Sequence, residues 1–253
     1  MTGFVHARWP VFHEDNHLLV VYKPAGLLSQ GDASGADNLL DLCKSWLKTR
    51  HAKPGRVFLG LVQRLDRPVA GVMVFARTSK AAARLSAQIR SRHMRKVYLA
   101  VVEGRMPAAE GRLCDHLVRG EHASRVAGGP DPLSREARLS YRVQAVAAGR
   151  SLVSVELETG RKHQIRLQLA HAGCPIVGDV RYGAPGPLPG GPIALLAHAI
   201  EIEHPTRPER LTFTAPLPAG WPWEGAETED APLWNWADYP PVDPSARAPG
   251  QTG

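Results

Sequence analysis

Asp66 stands between two arginines in the string Gln63-Arg64-Leu65-Asp66-Arg67-Pro68-Val69-Ala70-Gly71. An ionised carboxylate can attack an electrophilic carbon or accept a proton, so its surroundings decide whether it does chemistry. Taken by itself the string reads as an exposed ion-pair cluster, which contributes little. Its neighbours ask for more. Val57–Val62 reads as a buried strand before it and Val72–Ala76 as another after it. The carboxylate therefore falls at a strand-to-strand junction, where a rigid scaffold can present a polar group into a cleft.

Three further blocks belong with this one: Leu19-Val20-Val21-Tyr22-Lys23-Pro24-Ala25-Gly26-Leu27, Arg95-Lys96-Val97-Tyr98-Leu99-Ala100 and Thr159-Gly160-Arg161-Lys162-His163-Gln164-Ile165-Arg166. With Gly173-Cys174-Pro175-Ile176-Val177-Gly178-Asp179, Tyr182-Gly183 and His204-Pro205, their order and spacing resemble the RluA-type family of RNA pseudouridine synthases over residues 15 to 216. Each block alone is a weak signal; the ordered set is specific.

The resemblance implies isomerisation of uridine within RNA, with the base-to-ribose bond broken and the same base rejoined through carbon, using no cofactor and no metal. It makes Asp66 the catalytic aspartate, by attack on the anomeric carbon or by removal of a ribose proton, and leaves both routes open. Tyr98 matches the active-site tyrosine that lies against the extracted base. Arg166 matches a buried arginine that pairs with the catalytic aspartate and keeps it ionised through forked hydrogen bonds. Ile165 is expected to wall the uracil, and Arg64 to enter the space left by the flipped nucleotide. Lys96 and Arg161 are candidates for phosphate contact, as is His163, for which a structural role has equal weight. Lys23, Pro24 and Gly26 are expected to shape a turn under the cleft. The family usually carries His where Gln63 stands, Thr-Ser where Val69-Ala70 stand, and Thr where Lys162 stands. These departures touch groups that brace the catalytic loop, so they bear on rate and target preference more than on reaction class.

Two other readings compete. An RNA-binding or RNA-remodelling protein could keep the same fold without turnover, although an inert binder has no chemical reason to retain Asp66, Tyr98 and Arg166 together. A glycosidase pair would need a second acid, such as Asp179, close to Asp66.

The elements that must position these residues read as α+β, with a mainly antiparallel, bent sheet and flanking helices forming a pseudouridine synthase catalytic domain. Strands are expected at His17–Tyr22, Val57–Val62, Val72–Ala76, Val97–Glu103, Leu139–Ala145, Leu152–Glu158, Ala199–Glu203 and Leu211–Thr214. Helices are expected at Asn38–Arg50 behind a cap at Asp37, at Ser79–Arg95 with a basic outer face, and at Lys162–Ala172 ending at Gly173. Arg119–Ser134, rich in Gly, Pro, Arg and His, reads as a long mobile loop. The catalytic domain is expected over residues 1–218, followed by an acidic, Trp- and Pro-rich extension over 219–253. That extension holds Trp221, Trp223, Trp234 and Trp236; its indoles are expected to pack on the body and its last residues to be disordered.

Composition sets the limits. The 253 residues are 43% hydrophobic, enough for a core without staples. Lys and Arg number 31 against 24 Asp and Glu, a net charge of +7, which suits a polyanion. The acidic residues Glu224, Glu227, Glu229, Asp230, Asp238 and Asp243 leave the preceding body more basic still. Cys43, Cys114 and Cys174 stand far apart, which argues against a disulfide framework and a thiolate zinc site. No metal-ligand spacing, phosphate loop or nucleotide fingerprint is present. With no leader peptide and no bilayer-length apolar run, the expected setting is cytoplasmic, away from membranes. The expected partner is structured RNA, a stem-loop of tRNA or rRNA, with no obligate protein partner evident. From the short stretch ahead of the first motif, the small N-terminal RNA-binding domain of many relatives is expected to be missing. The Ser79–Arg95 helix and the Arg119–Ser134 loop are thus the expected grips on RNA.

Overall fold

The computed structural model describes residues 3–6, 9–120, 123–129, 131–218 and 220–223. Trp234, Trp236, the acidic cluster beyond Trp223 and the expected disorder of the tail lie outside the described residues. The chain divides into two compact units, one formed by Met1–Met94 and Glu201–Ala219, the other by Arg95–Ile200 with residues 220–223.

In the first unit β1 (Gly3–His6), β2 (Trp9–Glu14), β3 (Leu18–Lys23) and β5 (Ala70–Ala76) pair in that order, all antiparallel, with the short β4 (Gly60–Leu61) on β5. Every residue of β3 and β5 is buried. Both strands accordingly read as continuous apolar runs rather than as alternations. Helix α1 (Leu39–Arg50) buries Leu39, Cys43 and Leu47, four residues apart and so on one face. Helix α2 (Ser79–Arg90) buries Ala81 and Leu85 in the same way.

Both helices start on side-chain caps. Asn38, not Asp37, caps α1, its Oδ1 accepting the Asp41 N–H at 3.0 Å, and Thr78 Oγ1 accepts the Ala81 N–H of α2 at 3.1 Å. Helix α2 stops at Arg90, short of the expected Arg95. Arg92 turns left-handed at φ 61°, and the N–H groups of His93 and Met94 fold back onto the Gln88 carbonyl at 2.9 and 3.3 Å. The expected strand Val57–Val62 shrinks to Gly60–Leu61, which meet Ala76 and Phe75, and Phe58 is 52% exposed. Gly60 fits closely there: a Cβ would come within 3.1 Å of Ala82 on α2, so α2 would have to give by a few tenths of an ångström.

In the second unit β6 (Arg95–Glu103), β7 (Glu110–Arg119), β8 (Ser124–Val126), β9 (Arg135–Ala147) and β10 (Arg150–Leu157) make an antiparallel array in the order β6-β10-β9-β7-β8. The segment expected as a mobile loop over Arg119–Ser134 thus contains a strand: β8 pairs with the end of β7 through Leu117 with Val126, Val118 with Arg125 and Arg119 with Ser124. Helix α3 (Gln164–His171) is shorter at its start than the expected Lys162–Ala172, because His163 adopts a left-handed φ of 58° just before it. Strand β11 (Leu195–Glu203) begins in the second unit and ends in the first, and β12 (Arg210–Thr214) pairs with it. Short helices among antiparallel strands make the protein α+β. Among the described residues no helix is long and apolar enough to cross a membrane.

Candidate active site

In the first unit the Asp66 loop is fixed by the turn that leaves β3. Lys23 closes that strand with no exposed surface, and its ammonium donates to the carbonyls of Pro24 at 2.9 Å, Leu27 at 2.7 Å and Arg67 at 3.3 Å. Gly26, left-handed at φ 88°, donates its N–H to the Arg67 carbonyl at 2.7 Å and accepts from Arg67 Nε at 2.9 Å. On the other side of Asp66, buried Ser29 uses one hydroxyl twice. Its Oγ donates to the Leu65 carbonyl at 2.7 Å and accepts the Leu65 N–H at 3.0 Å. The Asp66 carbonyl accepts the Val69 N–H at 3.0 Å and closes the turn.

The peptides on both sides of a half-buried Asp66 are therefore immobilised by side chains and backbone from Lys23 to Ser29. Arg64, two residues earlier, is exposed. Gln63, at a position where the family usually has His, donates from Nε2 to the Val72 carbonyl at 3.3 Å and still braces the loop. Burial pushes the Lys23 ammonium down to about 7, while the Asp66 carboxylate pulls it up and Arg67 pushes it further down.

In the second unit Tyr98 lies opposite Val155 in the β6–β10 ladder and is 8% exposed. Lys96, two residues before it, leaves the strand on the same face. Burial lowers the Lys96 ammonium below its ordinary value. A Cβ on Gly160 would stand 3.8 Å from Lys96 Nζ, so β6 and the Thr159–Arg166 segment meet at that glycine.

Gln164 organises that segment from a buried position. Its Oε1 accepts from Thr159 Oγ1 and from the Arg161 N–H, both at 2.9 Å, and its Nε2 donates to the Arg138 carbonyl at 3.0 Å. Arg161, expected at phosphate, is exposed and donates from Nε to the Glu136 carbonyl at 3.0 Å, which anchors it on β9. Ile165 is 5% exposed at the start of α3.

Arg166 is also buried on α3, and one edge of its guanidinium is held by a residue that the sequence reading had not given it. Nε donates to Asp179 Oδ2 at 2.7 Å and the Nη2 group to Oδ1 at 2.8 Å, with side-chain exposures of 5% and 2%. The Nε–Nη2 edge therefore serves Asp179. The Arg166 guanidinium also lies 5.0 Å from the centroid of the Tyr182 ring. Gly178 permits this arrangement at φ 87°, since a Cβ would meet Leu188 Cγ at 2.9 Å and the Pro192 carbonyl at 3.0 Å. Asp179 and Tyr182 were legible as matched motif positions, but not as partners of Arg166. Both Asp179 oxygens are engaged by the Arg166 guanidinium, which leaves Asp179 unsuited to the acid role in a glycosidase pair.

Residues 17–171 match the family model described as RNA pseudouridylate synthase. The chain is 34% identical over 221 residues to the ribosomal large subunit pseudouridine synthase D of Xanthomonas campestris, covering 82% of this chain and 66% of that one. The protein of the same name from Pseudomonas aeruginosa is 32% identical over 231 residues, covering 84% and 69%. The chain thus spans about two thirds of the length of these relatives. Among solved structures, human RNA pseudouridylate synthase domain containing 4 superposes with a TM-score of 0.70 at 25% identity, over 83% of this chain and 89% of that one. The chain belongs to the RNA pseudouridine synthase family, and within it to the RluA type.

Proposed function

We propose that this protein is an RNA pseudouridine synthase that isomerises uridine in structured RNA. The observation that carries the reading is the Asp66 loop, whose flanking peptides are both held by the Lys23–Ser29 turn in a chain of this family. A carboxylate on an immobilised loop is preorganised for attack or proton removal at a ribose.

The reaction breaks the bond from the anomeric carbon to N1 of uracil and forms a bond from that carbon to C5. The proton on C5 is lost and N1 gains one, so no oxidant, reductant or cofactor is consumed. Asp66 acts on the ribose, Tyr98 lies against the base with its hydroxyl near C5, and Ile165 walls the uracil. Arg166 supplies positive charge that favours the ionised form of Asp66, Arg64 fills the space of the flipped nucleotide, and Lys96 and Arg161 contact phosphate. We assign these roles over residues 1–218, with 219–253 as an extension.

The names of the relatives make large-subunit ribosomal RNA the first substrate to try, with tRNA second. Three free thiols, Cys43, Cys114 and Cys174, support a cytoplasmic setting, and the reading requires no protein partner. Incubation of the purified protein with protein-free large-subunit rRNA and with bulk tRNA, followed by pseudouridine mapping, tests the proposal. Conversion confined to one or a few stem-loop uridines is expected. Tight RNA binding with no conversion in either pool would contradict it and favour a binding protein without turnover.

A further inference from the structure

The two groups that hold Arg166 belong to one tight turn. The Tyr182 N–H donates to the Asp179 carbonyl at 3.0 Å, and Gly183 closes the turn at φ 102°. Asp179 takes the guanidinium edge while the Tyr182 ring covers its face. At the far end of that ring, the hydroxyl accepts the N–H of Ser124 in β8 at 3.1 Å and meets His163 Nδ1 at 2.8 Å. A phenol has one hydrogen. With the Ser124 N–H aimed at its oxygen, that hydrogen goes to Nδ1 or to the Ser124 carbonyl at 3.4 Å, as the imidazole tautomer sets.

Ser124 is 5% exposed, and its Oγ also donates to the Lys162 carbonyl at 2.9 Å. One residue of the β7–β8 hairpin is thus bonded both to the peptide entering α3 and to the tyrosine that covers Arg166. Val126 and Tyr182 pack together on the cluster of Leu117, Ala137 and Leu167, so the hairpin and the ring share a core. Arg119 and Arg125 are both exposed; the register puts Arg119 on the Ser124 face of the hairpin and Arg125, which pairs with Asp131 at 3.0 Å, on the opposite face.

We infer that Tyr182 is a positioning residue that ties the seat of the β7–β8 hairpin to Arg166, so that RNA docked on Arg119 and Arg125 fixes the arginine. The inference rests on the proposed uridine isomerisation for the use made of Arg166, but the contact path stands apart from it. A tyrosine that served only as packing would lose little as phenylalanine. Here the change keeps the ring over the guanidinium and removes the hydroxyl that meets the Ser124 N–H and His163 Nδ1.

The test uses the full chain with protein-free large-subunit rRNA as the probe, and reads amide hydrogen exchange together with single-turnover rates. In the parent, RNA should protect both the hairpin strands, residues 116–119 and 124–126, and the start of α3, residues 162–167. In Tyr182→Phe, protection should persist at the hairpin and be lost at 162–167, with RNA affinity within about twofold and the saturated rate about tenfold lower. Tyr182→Leu should be slower still, and if that variant fails to fold, Tyr182→Phe decides alone. Parent-like protection of 162–167 in Tyr182→Phe, or no protection of the hairpin in the parent, would overturn the inference. A parent that turns over no RNA would instead refute the isomerase reading, while the exchange comparison would still decide the contact path.

Discussion

Lys23 shows how much of the site is set by a residue that never meets solvent. An ammonium has three hydrogens, and Pro24, Leu27 and Arg67 supply three carbonyls for them. Burial nonetheless lowers its proton affinity to about 7 from an ordinary 10.5. Between those values the unfolded chain holds a proton that the folded chain has released, so stability should rise as pH rises from about 7. The half-buried Lys96 acts in the same direction. The Cys43 thiol, pushed up by burial, acts in the opposite direction at higher pH. The clean window therefore runs from about pH 7 to about pH 8.5, where Lys23 contributes up to about 1 kcal/mol per pH unit. Denaturant midpoints across that window should show a shallower rise in Lys23→Met than in the parent. Identical slopes would mean that Lys23 stays charged throughout.

At the scale of elements, the turn from Lys23 to Ser29 is the mould for the Asp66 loop. Ser29→Ala should test it, because both the N–H and the carbonyl of buried Leu65 would lose their partner. A loss of about 1–3 kcal/mol is expected, with a fall in turnover larger than any change in RNA affinity; a variant with parent stability and rate would remove Ser29 from the account. The elements differ in how plainly the sequence announces them. Strands β3 and β5 are legible because burial on both faces leaves unbroken apolar runs. Strand β7 is not, since Glu110-Gly111-Arg112-Leu113-Cys114-Asp115-His116 exposes every second residue and offers no apolar run. Strand β8 is three residues long and hidden among Gly and Arg.

The same contrast holds at the site. Asp66, Tyr98 and Arg166 are legible as motif positions, but the Asp179 fork and the Tyr182 hydroxyl contacts depend on tertiary approach that no spacing announces. His204 belongs with these. It reads as part of a His-Pro motif, yet its Nε2 donates to Asp15 at 2.8 Å while its Nδ1 accepts the Arg207 N–H at 3.0 Å, making it a strut under the start of β3. Burial works to raise the Asp15 carboxyl, but hydrogen bonds from the His17 N–H, His13, the Leu18 N–H and His204 hold it well below the usual carboxylate range.

For the molecule as a whole, a net charge of +7 implies that RNA affinity falls with added salt. If the β7–β8 hairpin grips phosphate, Arg119→Ala and Arg125→Ala should each lower the salt slope by about 1, and turnover at saturating RNA should fall with them because docking there fixes Arg166. Unchanged slopes in titrations from low to physiological salt would move the grip elsewhere, first to the basic face of α2. The central claim is that Asp66 performs the chemistry and the rest of the chain positions it. The most direct measurement is single-turnover conversion by Asp66→Asn at saturating RNA, with affinity measured on the same preparation. The account predicts no detectable pseudouridine and an affinity equal to or slightly above that of the parent, because one anion has been removed from a phosphate-binding protein. Conversion by Asp66→Asn at a rate within about tenfold of the parent would contradict it.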